Sequence, residues 1–218
     1  VFEPVLTIGD KLSVIKSLIK NNISGSSPVI EEFEIEAAKI FNRKHAIAVS
    51  NGSTALDVAC QLLNLKKGDE VIVPSFTIIS CLSAILRTGA TPVFCDVDIN
   101  SWNMDLERIE KHLTPNTKAV LMVHIYGLPA DATKIMEFCK EKNIHLIEDA
   151  AEAHGQTEGN QKCGSFGDIS TFSFYANKHI TTGEGGMVLV DSEDYFYQAK
   201  QMINLDFNNT QRFMHDNL

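Results

Sequence analysis

Short apolar runs alternate with longer amphipathic runs along most of this chain, and this alternation restricts the fold more than any other feature. Seven runs rich in Val, Ile and Phe have the length of buried strands, at residues 46–50, 71–74, 92–97, 119–126, 145–150, 169–175 and 187–190. Helical spacing of apolar residues occurs between most of them, at residues 54–64, 78–88, 106–112 and 132–142. Strands that alternate with helices build a largely parallel sheet covered on both faces. The sequence therefore predicts an α/β fold.

The first part of the chain, residues 12–41, has mostly helical spacing and one break at residues 24–28 (SGSSP). Small residues and a proline there end one helix before the next begins. We expect this part to pack outside the sheet. We accordingly divide the chain into an N-terminal helical segment, residues 1–30, and a large domain, residues 31–218, a length that suits one good-sized domain.

The formal net charge is -9, so no overall positive field exists to attract nucleic acid or an anionic membrane surface. The longest apolar run, residues 119–126, is far shorter than the roughly 20 residues that cross a bilayer. We expect neither nucleic acid nor a membrane as a partner.

The five cysteines are odd in number and none forms a Cys-x-x-Cys pair. This usage fits free thiols in a reducing compartment better than disulfides or a zinc site. The first residues show no export signal. A cytoplasmic protein without a metal site is the expectation, because the histidines are not spaced as metal ligands either.

Ligands of α/β sheets collect at the carboxyl ends of the strands, and three such ends carry polar residues. After the first predicted strand, residues 50–56 (SNGSTAL) turn through Gly52 directly into a helix. The free amides at such a helix start, near Gly52 and Ser53, can bind a phosphate. An ordinary N-cap by Ser53 or Thr54 explains the same pattern.

The second end is residues 148–155 (EDAAEAHG), where acids directly follow buried apolar residues. A carboxylate there is costly unless something pairs with it. Asp149 could pair with the protonated ring nitrogen of a pyridine cofactor. A helix cap or a magnesium ligand are alternatives that this segment alone does not separate.

The third end is residues 172–186 (FSFYANKHITTGEGG), where Lys178 lies between a strand and a glycine-rich turn. An amine held away from free solvent can have a lowered pKa and attack a carbonyl carbon. A solvated surface lysine is the alternative when Lys178 is considered by itself.

Together these segments resemble the DegT/DnrJ/EryC1/StrS family of enzymes that use pyridoxal 5'-phosphate (PLP). The resemblance covers nearly the whole chain and includes residues 73–77 (VPSFT), 92–97 (PVFCDV) and 124–127 (HIYG) besides the three strand ends. It implies the large domain of PLP-dependent transferase fold type I, which is the fold of aspartate aminotransferase. Residues 148–155 and 172–186 are its most specific motifs.

The resemblance assigns roles at matching positions. It implies that the amides of Gly52 and Ser53 bind the PLP phosphate and that Ser173 adds a hydroxyl. Asp149 would pair with the pyridine nitrogen, and Lys178 would form the Schiff base with the cofactor.

Two positions depart from the family pattern. Ile78 would cover the ring where many members have an aromatic residue, with Phe76 as a substitute. Glu152, often glutamine in the family, would lie beside the ring hydroxyl oxygen and would bring an extra charge unless it is protonated or hydrogen-bonded.

The implied activity is an aminotransferase. An amino group would pass from an amino acid, by analogy L-glutamate, to a 4-keto-6-deoxy sugar on a nucleotide, in deoxyamino-sugar synthesis such as that of lipopolysaccharide O-antigen. The family works as a homodimer with shared active sites, and its smaller C-terminal domain is expected to be absent from this chain.

Two alternatives stay open on the sequence, and a third is set aside. A sugar dehydratase of the same fold would carry histidine at the position of Lys178. A truncated relative could bind a partner without catalysis. A dinucleotide enzyme of the Rossmann type would need a Gly-x-Gly-x-x-Gly pattern, which residues 51–54 (NGST) lack.

Overall fold

The fold is built on one seven-stranded sheet, which a computed structural model of the chain shows for residues 4–204. The strands are β1 (His45–Val49), β2 (Glu70–Pro74), β3 (Thr91–Cys95), β4 (Thr117–Val123), β5 (His145–Asp149), β8 (Ile169–Ser173) and β9 (Gly186–Val190), and a separate hairpin contains β6 (Thr157–Glu158) and β7 (Gln161–Lys162). The sheet order is β1-β9-β8-β5-β4-β2-β3. Only β9 is antiparallel to its neighbours β1 and β8, and the other pairs are parallel.

Seven α-helices belong to the described part of the chain. They are α1 (Ile8–Ile19), α2 (Pro28–Ile40), α3 (Gly52–Leu62), α4 (Ile79–Arg87), α5 (Leu106–Lys111), α6 (Ala132–Lys142) and α7 (Glu193–Ile203). One face of the sheet packs against α3, α4 and α7, and the other packs against α2, α5 and α6. Successive strand residues supply opposite faces, since Leu121 joins the first core and Val120 and Met122 join the second.

The predicted α/β fold, with a mostly parallel sheet and helices on both faces, is confirmed. The two N-terminal helices and the break between them also occur. Helix α1 buries no side chain, whereas α2 packs on the sheet through Ala37 and Ala38. The division after residue 30 falls inside α2 and stays a prediction, and its residues 1–3 and 205–218 lie outside the described residues.

The predicted strand at residues 119–126 is wrong at its end. Strand β4 stops at Val123, and a 3-10 turn follows at Ile125–Gly127. Tyr126 has φ 50°, in the left-handed region that few non-glycine residues adopt. The turn forms because His124 leaves the strand direction and accepts a hydrogen bond from the Ala130 amide at Nδ1, 3.0 Å away. Helix α7, the antiparallel direction of β9 and the small hairpin were not predicted.

Glu148, at the fourth position of β5, is a fully buried carboxylate held by five donors. Its Oε1 accepts from His124 Nε2 at 2.9 Å and from the Gly164 amide at 2.5 Å. Its Oε2 accepts from the Phe166 amide, the Gly167 amide and Ser170 Oγ at 2.8, 2.9 and 2.7 Å. Burial lowers the pKa of His124, but its hydrogen bonds with Cys163 and Glu148 outweigh burial and raise this pKa to about 9. The Ala130 amide nevertheless donates to Nδ1, so we assign a neutral imidazole with its proton on Nε2.

Burial alone would raise the pKa of Glu148, but the hydrogen bonds from His124 and from the loop amides outweigh it and hold this pKa below its usual value. The carboxylate is therefore charged at neutral pH. It fixes the loop before β8 against the ends of β4 and β5.

Substituting this carboxylate tests its structural importance. In Glu148→Gln an NH₂ group must face donors, because every partner of Glu148 donates. We expect the free energy of unfolding, measured by urea titration at pH 7, to fall by about 3 kcal/mol. The control Glu141→Gln, in an exposed pair with Lys142, should change it by less than about 0.5 kcal/mol. Equal stability of the two variants would contradict this account.

His154 is a buried histidine, and within residues 4–204 neither of its ring nitrogens has a hydrogen-bond partner. It packs between Phe172 and Phe174, with ring centroids 5.1 and 5.5 Å away. Burial, with smaller contributions from the charges of His179 and Lys178, lowers the pKa of His154 to about 4. The folded protein therefore keeps this imidazole neutral where an unfolded chain protonates it.

This lowered pKa predicts a pH dependence of stability. Between pH 6.5 and about 4 the unfolded state binds a proton that the folded state refuses, so stability contributed by neutral His154 is complete above pH 6.5 and is lost as the pH falls. The difference in unfolding free energy between pH 7 and pH 4.5 should shrink by on the order of 2 kcal/mol in His154→Gln. The variant His112→Gln, on α5's C-terminal end, should keep the difference. An unchanged difference in His154→Gln would show that this burial is not the cause.

Candidate active site

A cleft of about 660 Å³ opens at the carboxyl ends of the parallel strands. It contains every residue that the sequence predicts for the site: Gly52, Ser53, Ile78, Asp149, Glu152, Ser173 and Lys178. These residues come from four separate parts of the chain, in or after β1, β2, β5 and β8, and all four strands belong to the same sheet.

One wall of the cleft is the start of α3. Asn51 caps this helix, since its side chain accepts from the Thr54 amide at 2.8 Å. Within residues 4–204 the amides of Gly52 and Ser53 have no hydrogen-bond partner and lie at the positive end of the helix dipole. A Cβ on Gly52 would lie 2.8 Å from Ser173 Cβ, so glycine is needed for this close approach. The wall is suited to an anion.

The hydroxyl groups around this wall include one that the sequence did not indicate. Ser53 Oγ lies 2.7 Å from Ser80 Oγ at the start of α4. The N-cap expectation for Ser53 and Thr54 is wrong, because Asn51 is the N-cap residue. The hydroxyl group of Ser53 thus links the start of α3 to the start of α4, and it leaves the Ser53 amide available to a ligand.

Asp149, the last residue of β5, forms the deepest part of the cleft and is only 3% exposed. Its Oδ1 accepts from the Ala151 amide at 3.0 Å, and its Oδ2 accepts from Cys81 Sγ at 3.3 Å. Burial raises the pKa of Asp149, against smaller opposing effects of these two hydrogen bonds and of the charge on Lys178. A cationic partner in the cleft would favour its charged form.

Lys178 extends from the loop between β8 and β9 into the cleft, with 15% of its side chain exposed. Its Nζ donates to Glu152 Oε1 at 3.1 Å. Glu152 Oε2 accepts from the Tyr126 amide at 2.9 Å. The extra charge of Glu152 is thus hydrogen-bonded and paired with the lysine, which was one of the two conditions expected for it.

Apolar side chains surround the mouth of the cleft. Ile78, the N-cap residue of α4, is 60% exposed and lines it together with Phe76 and Tyr126. Phe76, Trp102 and Tyr126 contact one another edge to face, with ring centroids 5.7 to 6.1 Å apart. Both the aliphatic cover at Ile78 and the aromatic substitute at Phe76 are therefore present near the opening.

The sequence did not indicate the contacts of Thr77, Cys81 and the Tyr126 amide. Thr77 precedes α4 and Cys81 lies in its first turn, four residues later. Side chains four residues apart often meet along a helix, and this spacing was the available sequence signal for their contact. The Tyr126 amide reaches Glu152 only because of its left-handed backbone, for which no sequence signal existed.

Among residues 4–204, no group of three or more His, Cys, Asp or Glu is arranged to hold a metal ion. His124 belongs to the Glu148 network and His154 to an aromatic cluster. Nor does this part of the chain include a helix with the length and apolarity to traverse a bilayer.

Comparisons with known proteins identify relatives of this chain. The model of the DegT/DnrJ/EryC1/StrS aminotransferase family matches residues 8–218. The chain is 44% identical to a GDP-perosamine synthase of Escherichia coli O157:H7 over 196 residues, covering 90% of the chain and 54% of the relative. It is 38% identical to a GDP-perosamine synthase of Vibrio cholerae over 216 residues, covering 99% of the chain and 59% of the relative.

A solved aminotransferase from Psychrobacter cryohalolentis superposes with a TM-score of 0.94 at 35% identity, covering 100% of this chain and 59% of that one. The predicted transferase fold is confirmed by this likeness. The chain spans a little over half the length of these relatives. From the family match and the identities, the chain belongs to the DegT/DnrJ/EryC1/StrS aminotransferase family.

Proposed function

We propose that this chain forms the cofactor-binding part of a PLP-dependent aminotransferase that acts on a nucleotide-linked sugar. The observation that carries the proposal is the convergence of three groups on one cleft: the amine of Lys178, the buried carboxylate of Asp149 and the free amides at the start of α3. Family membership supports the same activity.

These residues fit PLP by their chemistry. The unpartnered amides of Gly52 and Ser53, with the Ser173 hydroxyl, match a phosphate group. The Asp149 carboxylate is suited to pair with a protonated pyridine nitrogen, and the Lys178 amine is suited to bond to an aldehyde carbon. When bound, PLP supplies an electron sink for the carbanion that forms next to the transferred amine.

Asp149, Lys178 and Glu152 would each have a separate role in the reaction. Asp149 would pair with the protonated ring nitrogen, because a cationic neighbour stabilises a buried carboxylate. Lys178 would hold the cofactor, and its Nζ, when free, would accept the proton from the α-carbon of the amino donor. Glu152, whose Oε1 lies 3.1 Å from Lys178 Nζ, would orient that amine in the cleft.

We propose a 4-keto-6-deoxy sugar on a nucleotide as amino acceptor and L-glutamate as donor. The identities to two GDP-perosamine synthases support the acceptor class, and a perosamine-like product would suit deoxyamino-sugar synthesis for lipopolysaccharide O-antigen. Glutamate rests on the family resemblance alone.

A homodimer with shared active sites is part of the proposal. Apolar side chains such as Ile8, Leu12 and Ile15 on α1 and Ile79 on α4 are exposed, which supports contact with another polypeptide. A cytoplasmic location is proposed because all five cysteines are free thiols. We also retain the division into an N-terminal segment, residues 1–30, and a PLP-binding domain.

The dehydratase alternative is disfavoured by Lys178, whose amine lies in the cleft where that class would carry histidine. The non-catalytic alternative is disfavoured because Asp149, Ser173 and Lys178 share one cleft. Both remain distinguishable by experiment.

Lys178 is the first residue to test. The purified protein mixed with PLP should show a visible absorbance band that borohydride traps on Lys178 in peptide maps and that L-glutamate bleaches. Lys178→Ala should lose the band, since no other amine occupies its position. The control Lys162→Ala, whose amine donates to Ile40 O far from the cleft lining, should keep it. A band that survives in Lys178→Ala would contradict the assignment.

The phosphate role of the α3 start has its own test. Gly52→Ala should weaken PLP binding at least about tenfold, because the new Cβ lies 2.8 Å from Ser173 Cβ and displaces the wall. Binding of pyridoxal, which lacks the phosphate, should change little. The control Gly25→Ala has no neighbour within 4 Å of its Cβ and should bind PLP as the wild type does. Equal losses for PLP and pyridoxal in Gly52→Ala would exclude a phosphate-specific role.

A further inference from the structure

A short chain of polar groups, one buried and one half-buried, is hydrogen-bonded to Asp149. Cys81, in the first turn of α4, is 0% exposed, and its Sγ is 3.3 Å from Asp149 Oδ2. Thr77, four residues earlier, places its Oγ1 3.2 Å from the same sulfur. No role for Thr77 or Cys81 follows from the site described so far.

The direction of these hydrogen bonds follows from the chemistry of the groups. An ionised carboxylate accepts only, so the thiol donates to Asp149 and the Thr77 hydroxyl group donates to the sulfur. Burial, together with the nearby charge of Asp149, raises the pKa of the Cys81 thiol well above its usual value. The sulfur therefore keeps the proton that it donates.

These bonds fix the orientation of the carboxylate. The Ala151 amide binds Oδ1 and the Cys81 thiol binds Oδ2, so rotation about the side chain would break one or the other. Because a thiol is a weak donor, the carboxylate keeps most of its capacity to accept a stronger bond from the cleft. The remaining acceptor positions are available to a ligand in front of it.

We propose that Cys81 is a positioning residue that orients Asp149 toward the ring nitrogen of PLP, with Thr77 completing the chain of donors. The inference rests on the proposed function, and it adds a residue that acts through Asp149 without touching the cofactor.

A second cysteine provides a matched control. Cys60, on α3, is also 0% exposed and belongs to the same hydrophobic core as Cys81. Within the described part of the chain its side chain makes no hydrogen bond, and it does not line the cleft. Replacing Cys60 removes the same atoms from the same core without affecting Asp149.

The experiment measures dissociation constants for two ligands by absorbance and fluorescence titration. One ligand is PLP, and the other is its 1-deaza analogue, in which C–H replaces the ring nitrogen. The proteins are the wild type, Cys81→Ala, Cys81→Ser and Cys60→Ala, each checked for folding by its thermal unfolding transition.

Cys81→Ala should weaken PLP binding about five- to tenfold, the upper part of the range for a lost hydrogen bond between uncharged groups, because a thiol is a weak donor. It should leave binding of the deaza analogue within about twofold, because Asp149 has no ring nitrogen to meet there. Cys81→Ser, which keeps a donor, should recover most of the loss, and Cys60→Ala should bind both ligands as the wild type does.

Three results would overturn the inference while leaving the proposed function intact: unchanged PLP binding in Cys81→Ala, equal losses for both ligands, or no recovery in Cys81→Ser. If the wild-type protein does not bind PLP at all, the proposed function and this inference fail together.

Discussion

The buried carboxylate of Glu148 is the interaction on which the geometry of the cleft depends. Its five donors come from the turn after β4, the loop before β8 and β8 itself, so one side chain fixes three neighbouring segments. Asp149 follows it in the same strand and therefore faces the other side of the sheet. The two consecutive acids therefore differ in function, since Glu148 stabilises the surrounding segments and Asp149 faces the cleft.

The difference between these acids is a difference in hydrogen bonding. Both are buried, but Glu148 is saturated by donors and its pKa is lowered, whereas Asp149 has two donors and its pKa is raised. A carboxylate offers about four acceptor positions, so Asp149 retains capacity that Glu148 has used. An incompletely satisfied buried acid next to a reactive amine is characteristic of a binding site, because a structural acid would be fully paired.

The sequence predicted the helices, strands and motifs that are encoded by patterns of neighbouring residues. Strands with continuous apolar runs, the helix beginning at Gly52 and the lysine-bearing segment were all identified from residues near one another in the chain. The reversed direction of β9, the left-handed backbone of Tyr126 and the contact of Cys81 with Asp149 depend on residues far apart in sequence. No local pattern encodes such contacts, so they required the structure.

The reversed strand β9 has a mechanical consequence for Lys178. Because β8 and β9 are antiparallel neighbours, the segment between them leaves the sheet and returns to it at the same end of the strands. The Phe174 amide donates to Gly185 O at 2.8 Å and so joins the two ends of this segment. If the two strands were parallel, the chain would need a long crossover to reach the opposite end of the sheet. The loop that carries Lys178 is therefore held at both of its ends, and it begins at the end of β8, which is paired directly with the strand that carries Asp149.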